Sequence, residues 1–204
     1  MNWKEKVYIL EKNDDFDVAI FFMQQIIRDN PEDVDAYIFI LFRLMYCIIE
    51  NSCHFANISQ TPVSDIKKQY YREKEEHYND LYLEYFAQGY EKFSENSEFL
   101  FYAAHTAAMA GMLSFLHAGI DDNVINQMIE KAALLDPQNM VYRWQFYPAF
   151  RQGDKDGQDH KLLDYAHSVL DQSSPIWREL HQMGTFGEHL YGIMESWAHR
   201  WLKQ

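Results

Sequence analysis

The side chains that could hold a metal ion or move a proton are 9 histidines, 31 acidic residues and 2 cysteines in a chain of 204 residues. Their spacing decides which of them could act together. A zinc protease needs two histidines one helical turn apart with a glutamate between them, and no H-E-x-x-H run occurs. Glu76, His77 and Asp80 offer only two or three donors on one helix. His160 and His167, like His181 and His189, stand two helical turns or slightly more apart, too far to share one ion directly. Asp154, Asp156, Gly157 and Asp159 have the composition of a calcium loop. The glycine falls fourth rather than sixth, however, and Tyr165 stands where the closing glutamate belongs. An acidic turn before a capped helix explains the same residues, and structural histidines explain the others. Cys47 and Cys53 are too few for a disulfide framework, and Cys47 lies in an apolar run that suits a small core hydrophobe. Nucleophile elbows, phosphate-binding loops and dinucleotide fingerprints are absent. No residue is nominated as catalytic, as a metal ligand or as a cofactor contact, and the expectation is a protein that is not an enzyme.

A different constellation points to binding. The spacing predicts a long charged helix from Pro62 or Ser64 to Phe93. On its projection Glu73, Glu76, Asp80 and Glu84 form one stripe. Tyr71, Glu75, Tyr78 and Tyr82, with Tyr85, form a neighbouring one. Like charges three and four residues apart cost about 0.2–0.5 kcal/mol per pair on an isolated helix. An acidic ridge beside exposed tyrosines is the composition of a surface that recognises a basic protein. The plainer alternative is a solvated charged face whose tyrosines lie half-buried against the next helix, with Arg72 and Lys74 placed to soften the repulsion. A second acidic cluster, Asp14, Asp15, Asp17, Asp33 and Asp35, falls at helix starts, where capping accounts for most of it.

The elements that must position these residues are helices. Apolar residues make up 48% and aromatics 16%, while 8 Gly and 5 Pro leave too little turn punctuation for a β-sandwich. The fold class is therefore all-α, with about ten helices in a single domain spanning 1–204. Asn30 is expected to cap a third helix with Pro31 in its first turn, and Asn51 to Thr61 to form a loop. Ser97 is the expected cap of an alanine-rich central helix, and Ser174-Pro175 restarts a helix near the C-terminus. Gly153 to Gly157 is the clearest flexible turn, Pro148 should end or kink a helix, and Gly184 and Gly187 bracket a last break. The final helix aligns Leu190, Met194, Trp197 and Trp201 on one face. The start M-N-W-K-E-K has no apolar leader, and the run Ala36 to Ile49 is short and interrupted by Arg43, which suits a buried helix better than a membrane span. A reduced, cytoplasmic location is expected.

The formal charge is −13, with −9 in residues 1–100 (10 basic, 19 acidic) and −4 in the remainder (8 basic, 12 acidic). Such a field repels nucleic acid and anionic membrane and attracts basic partners.

The run Ile129-Glu130-Lys131-Ala132-Ala133-Leu134-Leu135-Asp136-Pro137 resembles the end of the second helix of a tetratricopeptide repeat. Ala19, Met23, Ile26 and Pro31 repeat the spacing of Ile125, Ile129, Ala132 and Pro137, and Tyr90 to Phe93 echoes Ile129 to Ala132. The steps between units are 67 and 39 residues, against a regular period near ~34. The resemblance implies an irregular array of antiparallel helix pairs over about half of the chain. Taken whole, the chain is also similar to the small, acidic, all-helical immunity proteins of bacterial toxin systems, including those of contact-dependent growth inhibition. That likeness rests on size, acidity and irregular aromatic-rich helices. It implies a cytosolic binding protein that occludes the active site of a cognate basic toxin domain, a nuclease above all, with the stripe of Glu73, Glu76, Asp80, Glu84, Tyr71, Glu75, Tyr78 and Tyr82 as the binding set. The alternatives are a tetratricopeptide-type chaperone or scaffold for an extended peptide and, third, an enzyme of unknown class.

Overall fold

The computed structural model describes residues 2–59, 65–113, 120–139, 141–142, 164–165 and 167–201. Its defined elements are all helical: α1 (Trp3–Lys12), α2 (Phe16–Asp29), α3 (Val34–Ser59), α4 (Asp65–Phe93), α5 (Ser97–Leu113), α6 (Asp122–Leu135), α7 (Pro175–Gln182) and α8 (Gly184–Trp201). No strand occurs among the described residues, and the all-α class holds. The chain forms two compact units. Asp15–Asp136 carries α2 to α6; Met1–Asp14 together with Pro137–Gln204 carries α1, α7 and α8.

In the Asp15–Asp136 unit, α3 is the central helix. It packs on α2, α4 and α5, so Ala36 to Met45 are buried on every side. Its Val34–Asn57 stretch is long and apolar enough to cross a membrane by length and composition, and most of that surface is covered by the neighbouring helices. Polar residues do not end α3 where a loop was expected. Asn51 Nδ2 donates to the Cys47 carbonyl at 2.7 Å, and buried Ser52 donates to Glu75 on α4. With their polar atoms satisfied inside, Asn51 to Ser59 stay helical. Alanines at 103, 104, 107 and 110 keep α5 thin and buried, and it lies against α3, α4 and α6.

The caps differ from expectation in two places. Asp33, not Asn30, covers the start of α3, accepting from the Ala36 N–H at 3.2 Å. Asn96, not Ser97, does so for α5, accepting from Phe99 N–H at 2.9 Å. In both, the residue three before the bonded N–H has the shorter reach to the orphan donor. Asp121 caps α6, its side chain accepting from the Asn123 N–H at 2.7 Å. The two helix-to-proline boundaries adopt the same backbone. Asn30 (φ −137°, ψ 81°) closes on Ile26 O and Asp136 (φ −132°, ψ 76°) on Ala132 O, both outside the α region that a following proline disfavours.

In the second unit, Asn2 and Glu5 form a reciprocal capping box on α1. α1 is fixed to α8 by Glu188, which accepts from Lys12 Nζ at 2.9 Å and Tyr8 Oη at 3.1 Å, and by a hydrogen bond between Thr185 and buried Glu11. Ser174-Pro175 starts α7 as expected, with Ser174 Oγ accepting from Trp177 N–H at 3.1 Å. The break before α8 falls at Met183 and Gly184, and the φ of +66° at Gly184 favours glycine. Gly187 is inside α8, pressed on the Leu180 carbonyl. Leu190 and Met194 are buried. The calcium-like turn, the expected kink at Pro148, His160 and the side chains of Trp197 and Trp201 lie outside the described residues.

Candidate partner-binding surface

α4 runs for 29 residues and divides lengthwise into two faces. Glu75, Tyr78, Tyr82, Phe86, Gly89 and Phe93 form its buried line at steps of three and four. At its far end Phe93 meets Tyr37 of α3 edge-on at 5.3 Å and Phe99 of α5 at 5.6 Å. Tyr82 is fully buried. Thr106 Oγ1 donates to the Ala103 carbonyl, so the Tyr82 hydroxyl is the donor in its 2.9 Å bond to Thr106. Burial raises its pKa. Tyr78 donates to Asp17 Oδ1 on α2 at 2.6 Å. Lys74 Nζ lies 3.3 Å from Asp17 Oδ2 and 3.4 Å from Tyr78 Oη. The Tyr78 hydrogen bond, with Lys74 beside it, holds the Asp17 carboxyl below the ordinary carboxylate range.

The expected tyrosine flank is thus not an exposed one. Tyr78, Tyr82 and Glu75 are inside the unit, Tyr71 is half-buried with its ring stacked on His54 at 5.2 Å, and Tyr85 is half-buried edge-on to Tyr37. The physical reason is continuity. The line through Tyr78 and Tyr82 runs on into Phe86, Gly89 and Phe93, and two phenylalanines on the same stripe need a core. That continuation was readable in the sequence.

The four ridge carboxylates are placed differently. Glu73, Glu76, Asp80 and Glu84 are all exposed. Glu73 accepts from Gln69 at 2.7 Å and Glu84 from Gln88 at 3.0 Å. Neither of these donors carries charge. Glu76 and Asp80 make no hydrogen bond or ion pair among the described residues. The two cations expected to soften the ridge face elsewhere. Lys74 is committed to Asp17 and Tyr78, and the Arg72 guanidinium lies 5.3 Å from the Phe55 ring centre on α3. The line directly opposite the core reads Ile66, Tyr70, Glu73, His77, Asp80, Glu84, Ala87 and Glu91, every residue of it exposed, with Glu76 beside it. Ile66, Tyr70 and Glu91 were missed by sequence reasoning although they share the same three-and-four spacing.

Charge is also divided between the units. Asp15–Asp136 holds 20 acidic and 8 basic residues, a net −12; the other unit holds 11 and 10, a net −1. No group of three or more His, Cys, Asp or Glu that could hold a metal ion occurs among the described residues. Comparison with known proteins finds no family model, no curated protein and no solved structure that matches the chain.

Proposed function

We propose that the Asp15–Asp136 unit is a docking module for a basic protein, and that the chain acts as an immunity protein, occluding the active site of a cognate basic toxin domain such as a nuclease. The observation that carries this reading is the uncompensated ridge. Four exposed carboxylates stand on a helix whose opposite face is locked into the core, and the nearest cations are held away from them. Such a surface needs no reorganisation to meet a positive cleft, and its field speeds encounter. The activity is steric and electrostatic, with no bond-making by this chain, no cofactor and no nucleic-acid or membrane partner. A cytoplasmic location belongs to the same reading. Titration calorimetry with purified basic nuclease domains tests it. Affinity should fall with salt and drop on Glu76→Gln/Asp80→Asn, whereas a complex indifferent to both changes defeats the assigned surface.

A tetratricopeptide-like arrangement is the finer fold reading, and two recurrences support it. The turns after α2 and α6 share their backbone, and Lys–Glu pairs tie successive turns: Lys92 Nζ to Glu32 at 3.1 Å and Lys131 Nζ to Glu95 at 2.5 Å. The same recurrences favour, as the second function, a scaffold for an extended peptide. An array of extended peptides separates the two, because a scaffold holds an unfolded segment whereas a toxin inhibitor requires a folded surface, a preformed helix included.

A further inference from the structure

The outward line of α4 begins with two apolar side chains rather than acidic ones. Ile66 is 79% exposed and Tyr70 51% exposed. Tyr70 is not a loose side chain, because its ring meets Tyr71 edge-on at 5.3 Å and Lys74 Nζ lies 5.6 Å from its centre. From Ile66 to Glu91 the line keeps one three-and-four spacing along about 37 Å of helix. A single line of exposed side chains at this spacing matches the side of another helix packed lengthwise. Its acidic part can be matched only by cations, and its apolar part only by apolar groups.

Resting on the docking function proposed above, we infer that the line from Ile66 to Glu91 is a two-part strip for a cationic helix of the partner. Lysines or arginines spaced seven and four residues apart would face Glu73, Asp80 and Glu84, and an aliphatic pair at one end would cover Ile66 and Tyr70. The charged part sets the rate of encounter and the apolar part the lifetime of the complex, since a desolvated aromatic anchor contributes more to retention than a solvent-screened ion pair. The strip therefore defines a partner that is amphipathic along its helix, not merely basic.

The test uses the full chain and two synthetic helical peptides. One carries lysines at the matching spacing; the other is the same peptide with two leucines at one end. Binding is read by fluorescence anisotropy at low and moderate salt. The wild-type chain should hold the leucine-bearing peptide about tenfold more tightly or better. Ile66→Ser/Tyr70→Ser should erase that preference and leave the lysine-only peptide unaffected. Ile66→Ser alone, at the most exposed of the two positions, should erase part of it and guards against a fold defect, which circular dichroism would reveal. Equal affinities on the wild-type chain, or a leucine preference that survives the double variant, overturn the strip. Glu73→Gln/Asp80→Asn/Glu84→Gln should weaken both peptides together. If it weakens neither, or if neither peptide binds, the docking function itself fails; if it weakens both while no leucine preference exists, only the strip fails.

Discussion

Gly89 lies in the middle of α4, where a glycine normally costs a helix about 0.8–1 kcal/mol relative to alanine. Gly89→Ala in isolation should therefore stabilise. The surroundings reverse the sign. A Cβ at this position would stand 2.5 and 2.6 Å from Phe99 Cε2 and Cζ and 3.2 Å from Tyr37 Cδ1, whereas carbon atoms rest about 3.5–4.0 Å apart. Phe99 is fully buried and packs on Phe93, which packs on Tyr37, so the ring has about 1 Å to yield and no free volume to yield into. Overpacking of this kind costs about 1–3 kcal/mol. After the helix-propensity gain is subtracted, the net is a destabilisation of up to about 2 kcal/mol. Gly111→Ala is the matched control. It lies in α5 of the same unit, and its Cβ would meet nothing within 4 Å, so it should stabilise by up to about 1 kcal/mol. Urea unfolding followed by helix ellipticity gives both midpoints on one cooperative unit. Phe99→Leu combined with Gly89→Ala should lose less than the sum of the two single changes, because the smaller side chain frees the space the methyl needs. A Gly89→Ala midpoint raised as far as that of Gly111→Ala would refute the close approach of α4 to α5.

Three further outcomes follow from the same geometry. Neutralising the ridge with Glu73→Gln/Glu76→Gln/Asp80→Asn/Glu84→Gln removes three adjacent like-charge pairs, so stability should rise by about 0.6–1.5 kcal/mol at low salt, and the gain should vanish near 1 M salt where the screening length is about 3 Å; a loss of stability in urea unfolding at low salt would mean the carboxylates have structural partners. Tyr78→Phe removes the hydrogen bond that holds the Asp17 carboxyl low. A carboxyl depressed in the folded state contributes above its unfolded pKa and loses that contribution as pH falls through its folded value, so the stability gap between wild type and variant should be widest near neutral pH and shrink below about pH 4 in urea midpoints taken across the acid range. Cys47 is buried, its thiol pushed up to about 12 by desolvation, while Cys53 is exposed; a disulfide-exchange reagent should modify Cys53 promptly in the native chain and Cys47 only on unfolding, and equal rates would contradict the burial of α3.

Much of the helical frame was legible because it rests on local chemistry. Ser174-Pro175 and the prolines after α2 and α6 act within one turn, and each marks a real boundary. The same grammar misled at Asn30-Pro31, because α3 begins only at Val34 and Asp33, directly before it, receives the Ala36 N–H. Asn51 to Ser59 reads as a loop in the sequence because its side chains are polar. Ser52 is fully buried, and what keeps it helical is a glutamate 23 residues away, which no local pattern reveals. The ridge itself was legible as charge. Its tyrosine flank was not, since tyrosine suits a core and an interface equally well, and the choice depended on reading the stripe on through Phe86 and Phe93. The direction taken by Arg72 and Lys74 depends on Phe55 and Asp17, residues supplied by other helices.

Several acidic groups of the Asp15–Asp136 unit have work within the fold. Asp33 and Asp121 cap helices, Asp17, Glu32 and Glu95 receive lysines, and Glu75 receives a buried hydroxyl. Among the described residues Glu73, Glu76, Asp80 and Glu84 meet no cation, and their mutual repulsion opposes the helix that carries them. Glu91 also lies in the last turn of α4, where the helix dipole disfavours negative charge. Nothing in the core requires this, because the buried line of α4 would pack identically beneath glutamine or lysine on the outer face. A local rule broken on the surface of an element this firmly seated points to a use outside the fold. The use consistent with the chemistry is a cationic surface that arrives from elsewhere, and binding such a surface should relieve the same repulsion that the free chain retains.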